Sequence, residues 1–244
     1  MKIARLFLLA FAMMGVISCS NDDEPSPNIE QAKLSFAEQN AIVELPSALQ
    51  TSEDPIAQSV NVWLTMVNNM ATNFIYFDPP EGAQKTSNLI TVSSGRTAAR
   101  KGVVWIWTQG DMSVAYQVGE DDDKYTFEIF MKVEENADWA YLVYAEERKD
   151  RSAGFFALYD FFGGSGEEMR WAWTRKGDEV TFKITSQGEL MVEVSANNKT
   201  KSGVLTTYMD GSKYQEITWT GSGSGTWKIY NEEGIVVEED TWEA

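Results

Sequence analysis

Between residues 56 and 74 the apolar positions Ile56, Val60, Trp63, Leu64, Val67, Met70, Ala71 and Phe74 recur at helical spacing, and Gln58, Asn61, Asn68, Asn69 and Asn73 fall on the other side. This pattern predicts an amphipathic helix over residues 55–76 that covers another apolar surface. Ser52 or Asp54 can cap its start, Pro55 suits the first helical turn, and Asp78-Pro79-Pro80 ends it. Upstream, residues 29–54 carry short apolar groups with no clear period.

From about Gly102 the period falls to two. Tyr125, Phe127, Ile129 and Met131 alternate with Thr126, Glu128, Phe130 and Lys132, and the same alternation holds for Met169, Trp171, Trp173 and for Val180, Phe182, Ile184. Each such run predicts a strand with one apolar face. Turn signals separate the runs at Gln109-Gly110-Asp111, Glu120 to Asp123, Lys176-Gly177-Asp178, Asp210-Gly211, Gly221 to Gly225 and Glu233-Gly234. The expected fold is mainly β with one N-terminal helix: an antiparallel meander of about ten to twelve strands over residues 102–242. The meander is expected to form a barrel or a strongly curved half-barrel around or against helix 55–76, since closure removes unpaired edges.

Part of the meander repeats. Gly154…Tyr159…Gly163…Glu168…Trp171 is matched by Gly203…Tyr208…Gly211…Glu216…Trp219 and by Gly225…Tyr230…Gly234…Glu239…Trp242. Each unit reads as one hairpin. A two-residue type I′ turn at Asp210-Gly211 is expected to put Val204, Tyr208, Ile217 and Trp219 on one face. In the C-terminal third this spacing resembles MORN-type hairpin repeats, a resemblance that implies a stacking and interaction scaffold.

Composition narrows the chemistry. The chain has no histidine and one cysteine, Cys19. That removes the Ser-His-Asp triad, the common zinc sites and a disulfide framework. What remains is carboxylate chemistry, but no nucleophile, base and orienting group can be named together, so the chain is expected not to be an enzyme and to need no cofactor or metal. Asp121-Asp122-Asp123 lacks the spaced oxygen ligands of a calcium loop and reads as a solvated turn.

The first residues give the address. Lys2 and Arg5 precede an apolar run from Leu6 to Ile17, which ends in Val16-Ile17-Ser18-Cys19. An export signal has this layout, and the run is too short for a permanent transmembrane helix. Val16 to Cys19 resembles the lipobox of bacterial lipoproteins. The resemblance implies cleavage between Ser18 and Cys19 and lipidation of Cys19. The expected organisation is a signal peptide (1–18), a disordered acidic tether (19–30) and a single domain (31–244). The acidic cluster Asp22-Asp23-Glu24 resembles the surface-export signal of Bacteroidota lipoproteins, with a solvated linker as the alternative reading; Ser20 directly after Cys19 suits the outer membrane, so a lipid-anchored outer-membrane protein is expected, with exposure at the cell surface left open. The whole also resembles uncharacterised β-rich lipoproteins of that phylum.

Without residues 1–18 the chain carries 18 basic and 37 acidic residues, a net charge of −19. This surface repels phosphate backbones, so nucleic acid is not an expected partner. Three functions stay open: a non-catalytic binding or interaction lipoprotein whose partner is a glycan or a protein, a carrier of a lipid or other hydrophobic ligand in a β-barrel cavity, and a carboxylate glycoside hydrolase. The element order resembles lipid-carrying half-barrel lipoproteins and lipocalin-like barrels, and that likeness suggests the carrier. The candidate ligand-facing aromatics are Trp105, Phe127, Trp171, Trp173, Phe182, Tyr208 and Trp219; the alternative reading makes them core packing pairs.

Overall fold

A computed structural model describes residues 29–34, 43–70, 79–91, 101–134, 137–160 and 166–243. The expected signal peptide, Ser18 and Cys19 at its expected cleavage and lipidation site, most of the expected tether and the expected helix end beyond Met70 lie outside the described residues. Ile29 and Glu30, at the end of the expected tether, fall in a 3-10 turn over Ile29–Gln31, with Ile29 fully buried.

Two α-helices follow, α1 (Ser47–Gln50) and α2 (Pro55–Met70). The Asp54 carboxylate accepts the backbone N–H groups of Ile56 (2.8 Å) and Ala57 (3.1 Å), so Asp54 caps α2. Ala57, Val60, Leu64 and Val67 are fully buried along one stripe, and Val62 and Met66 point outward. The Asn68 side chain bonds both the N–H and the carbonyl of Val43, tying the preceding segment to the helix.

Thirteen antiparallel strands form one sheet in strict sequence order: β1 (Gln84–Thr86), β2 (Lys101–Gln109), β3 (Met112–Glu120), β4 (Lys124–Lys132), β5 (Ala140–Arg148), β6 (Ala153–Tyr159), β7 (Glu167–Lys176), β8 (Glu179–Ser186), β9 (Glu189–Asn197), β10 (Ser202–Met209), β11 (Ser212–Trp219), β12 (Gly225–Tyr230) and β13 (Val236–Trp242). The meander is as expected, with β1 starting ahead of Gly102. Closure is not: the sheet is only weakly curved, and β1 and β13 do not pair. A three-residue β1 offers almost no ladder to close against. The apolar face is buried under other elements rather than rolled onto itself.

That covered face carries Val103, Val118, Phe127, Ala145, Phe156, Trp171, Phe182, Val194, Leu205 and Ile217, which form one cluster with Ile29, Leu49 and the buried stripe of α2. Thirteen strands at ~4.8 Å span about 58 Å, whereas a 16-residue helix reaches about 24 Å, so α2 alone is too short to cover them. The N-terminal segment helps at β1 and again at the β9–β10 turn. Glu30 pairs with Lys85 on β1, and the Glu44 N–H donates to Asn198 in the β9–β10 turn (3.0 Å).

Toward β13 the sheet supplies its own cover. Gly203 faces Trp219 and Gly225 faces Trp242 across the ladder, and each indole lies over its glycine so closely that an added Cβ would overlap it. The Trp219 indole N–H donates to the Lys201 carbonyl (3.1 Å), and that of Trp242 to Gly223 (2.7 Å). In both cases the acceptor lies two residues before the glycine.

The first repeat unit needs correction. Gly154 faces Trp173, whose ring covers it, and Trp171 instead faces Phe156; Gly163 lies outside the described residues. The structure also adds a unit that the sequence hides. In the hairpins β6–β7, β8–β9, β10–β11 and β12–β13, one extra residue bulges from the returning strand: Glu168, Met191, Tyr214 and Val237, at intervals of 23 residues. The β8–β9 unit carries Val180 and Ala196 where its neighbours carry Gly and Trp.

Candidate functional site: the open face of the sheet

The bulges decide which side chains meet on the second face. Asp210 (φ 51°) and Gly211 (φ 76°) form the expected type I′ turn. Tyr214 is then unpaired, so Gly203 and Leu205 face Trp219 and Ile217 on the covered side, while Val204 and Tyr208 point to the other face. The expected sharing of one face by Val204, Tyr208, Ile217 and Trp219 is therefore corrected, because one inserted residue reverses the alternation beyond it.

On this open face a row of carboxylates runs across the strands, each held by cations or phenols. Glu128 accepts hydrogen bonds from Gln117 and from the Tyr141 hydroxyl (2.8 Å). Glu146 accepts from Tyr144 and pairs with Lys124 (2.9 Å). Glu167 takes Arg170 in a two-point contact of 2.9 and 2.5 Å, and the same guanidinium lies 4.0 Å from the Phe155 ring centre. Glu193 pairs with Lys183 (3.1 Å) and accepts from Tyr208 (3.4 Å). Glu216 pairs with Lys213 and accepts from Tyr230 (3.4 Å), and the Lys213 ammonium also sits 4.7 Å above the Tyr230 ring. Glu239 pairs with Lys228 (3.7 Å).

Glu193, Glu216 and Glu239 recur every 23 residues, with Arg170 one interval earlier. Strand alternation puts all of them opposite the Gly–Trp contacts. These are half-exposed pairs, so their value lies in fixing side-chain positions more than in stability.

Electrostatics follow from the contacts. Burial pushes the Tyr208 hydroxyl above its usual value, and the charge of Glu193 adds to the shift. The hydrogen bond to Glu216 raises the Lys213 ammonium against an opposing effect of burial. Lys213, Tyr230, Met209, Asp210 and Tyr214 line an open groove of about 710 Å³ between the tips of the last two hairpins. Among the described residues no group of three or more Cys, Asp or Glu is placed to hold a metal ion.

The candidate aromatics divide unevenly. Phe127, Trp171, Trp173, Phe182 and Trp219 are buried on the covered face, and Trp105 is half-buried there, stacked on Tyr116. Phe156 and Trp171 stack with centres 4.4 Å apart. Tyr208 alone of the seven stands on the open face. The sequence reading missed Tyr144, Arg170, Lys183, Glu193, Lys213 and Tyr230 there; the 23-residue recurrence of Glu was the available signal.

Only toward β2–β4 is the second face covered by a described segment. Leu89 and Ile90 pack over Val104, Ala115 and Phe130, and the Ile90 N–H donates to Gln117 (2.7 Å). Comparison with models of known families gives no match, and no curated protein matches the chain.

Proposed function

We propose that this protein is a non-catalytic binding lipoprotein, anchored at the outer membrane through Cys19 and exposed at the cell surface, whose open sheet face recognises a glycan or a protein. The observation that carries this reading is the division of labour between the two faces. One is packed with aromatic and aliphatic side chains under helices; the other presents fixed tyrosines, carboxylates and cations over many strands. A flat array of amphipathic rings and oriented polar groups suits recognition of a broad polar surface. The open sheet has no barrel lumen, and the stacked Phe156 and Trp171 rings are part of a filled core on the covered face. Both points favour an interaction module over a carrier.

The test uses the mature chain without its lipid (residues 20–244), immobilised and exposed to polysaccharide and protein fractions of the host envelope. A ligand retained by the wild type should be lost at least tenfold in Tyr208→Ala/Tyr230→Ala and kept by Val62→Ser on the outer side of α2. Equal retention by all three, or none by the wild type, overturns the reading. Anchoring is read separately: Cys19→Ser should move the protein from the membrane to the soluble fraction.

A further inference from the structure

The last strand is an exposed sheet edge, which shares Glu239 with the polar row of the open face. β13 has no partner on its outer side among the described residues, and of its seven residues only Trp242 is buried. Proteins blunt such edges by keeping them short, as β1 is here, or by placing Lys or Pro on them. β13 has neither Lys nor Pro. Its bulge at Val237 is not an edge device either, since β7, β9 and β11 carry the same bulge inside the sheet.

Ile235, Val236 and Val237 are three successive β-branched residues, exposed by 62, 38 and 61%. Leaving them in water on an unpaired backbone favours association, because β-branched side chains pack well against a neighbouring strand. Directly after them come Glu238, Glu239 and Asp240, and Glu232 and Glu233 stand just ahead in the β12–β13 turn. Lys228 is the one cation paired into this group among the described residues.

We propose that β13 is a docking edge for an extended segment of another polypeptide, in which a basic run is followed by β-branched residues. Strand addition supplies the affinity through backbone hydrogen bonds, and side-chain complementarity supplies the choice of partner. In antiparallel pairing, a Lys-Lys-Lys-Val-Ile-Val segment sets its lysines beside Asp240, Glu239 and Glu238 and its aliphatics beside Val237, Val236 and Ile235. A second copy of this chain is disfavoured as the occupant. In the same antiparallel register two such edges would set each acidic run beside the other's aliphatic run and offer it no cation, on chains that each carry a large negative charge.

The probe is that hexapeptide, added to the mature chain, with Glu-Glu-Glu-Val-Ile-Val as control and residue-resolved amide hydrogen exchange as the readout. Outward-facing amides of residues 236–242 should slow at least tenfold with the basic peptide and remain unchanged with the acidic one. Glu238→Lys/Asp240→Lys should weaken binding at least tenfold while keeping the far-UV circular dichroism of the wild type. Three results overturn the proposal: no binding, binding that leaves the β13 amides unprotected (diffuse attraction to an acidic protein), or amides already protected in a free protein of dimeric mass, which would assign the edge to a second copy.

Discussion

The two faces of this sheet are made by the same strands, residue by alternate residue, yet they solve different problems. On the covered face the side chains are interchangeable in chemistry and constrained in shape: Phe182 and Trp219 are 0 and 1% exposed, and the glycines opposite the tryptophans exist to admit a ring. On the open face shape is loose and chemistry is constrained, with Lys183, Glu193 and Tyr208, then Lys213, Glu216 and Tyr230, in repeated cation–carboxylate–phenol groups. Stability should therefore reside in one face and specificity in the other.

Truncation on either side sharpens that contrast most. Trp219→Ala removes a buried ring and its hydrogen bond to Lys201 and should cost about 3–5 kcal/mol, read from the urea midpoint. Lys183→Ala on the open face breaks one half-exposed ion pair and should cost less than about 1 kcal/mol in the same assay. Comparable costs would break the division between the faces. A smaller effect than Trp219→Ala is expected at Gly203. Its new Cβ would meet the Trp219 ring and lie 2.7 Å from the Ser195 carbonyl oxygen, so Gly203→Ala should lose about 1–3 kcal/mol through overpacking alone. Adding Trp219→Ala to Gly203→Ala should then cost less than the two separately, because the smaller side chain makes room.

The alternation of apolar residues was legible because it is local: β4, β7 and β8 lie where their period of two placed them, and Asp54 caps the helix as its position before Pro55 suggested. The faces at the repeats were not legible. A single bulged residue such as Tyr214 has no compositional mark, yet it reverses which residues look inward. Trp171 likewise stands three residues after Glu168, as the repeat's tryptophan does elsewhere, and only the ladder register gives Gly154 to Trp173 instead. Openness depended on what covers the apolar face, a long-range matter in which residues 29–34 reach β1 and residues 43–44 reach the β9–β10 turn. The polar row escaped notice because each of its members, read alone, is an ordinary solvated charge.

The weakest effect tests whether the open-face groups are coupled in solution at all. Lys213 and Lys149 are each held protonated above the usual 10.5, chiefly by hydrogen bonds to Glu216 and Glu120, and Tyr208 is held above 10.0, first by burial. A raised folded-state value contributes stability that is fully present below the unfolded value and is lost as pH climbs through the folded one. All three groups thus act in the same direction, with no effect near neutrality and a progressive loss above about pH 10. The urea midpoint of the wild type should fall between pH 9.5 and 11.5. In Lys213→Met/Tyr208→Phe the fall should be shallower, leaving only the Lys149 contribution among these three. A double variant with the same alkaline slope as the wild type would mean that the open-face contacts are too loosely held to be felt by the fold. The covered face would then be left as the sole determinant of stability at every pH.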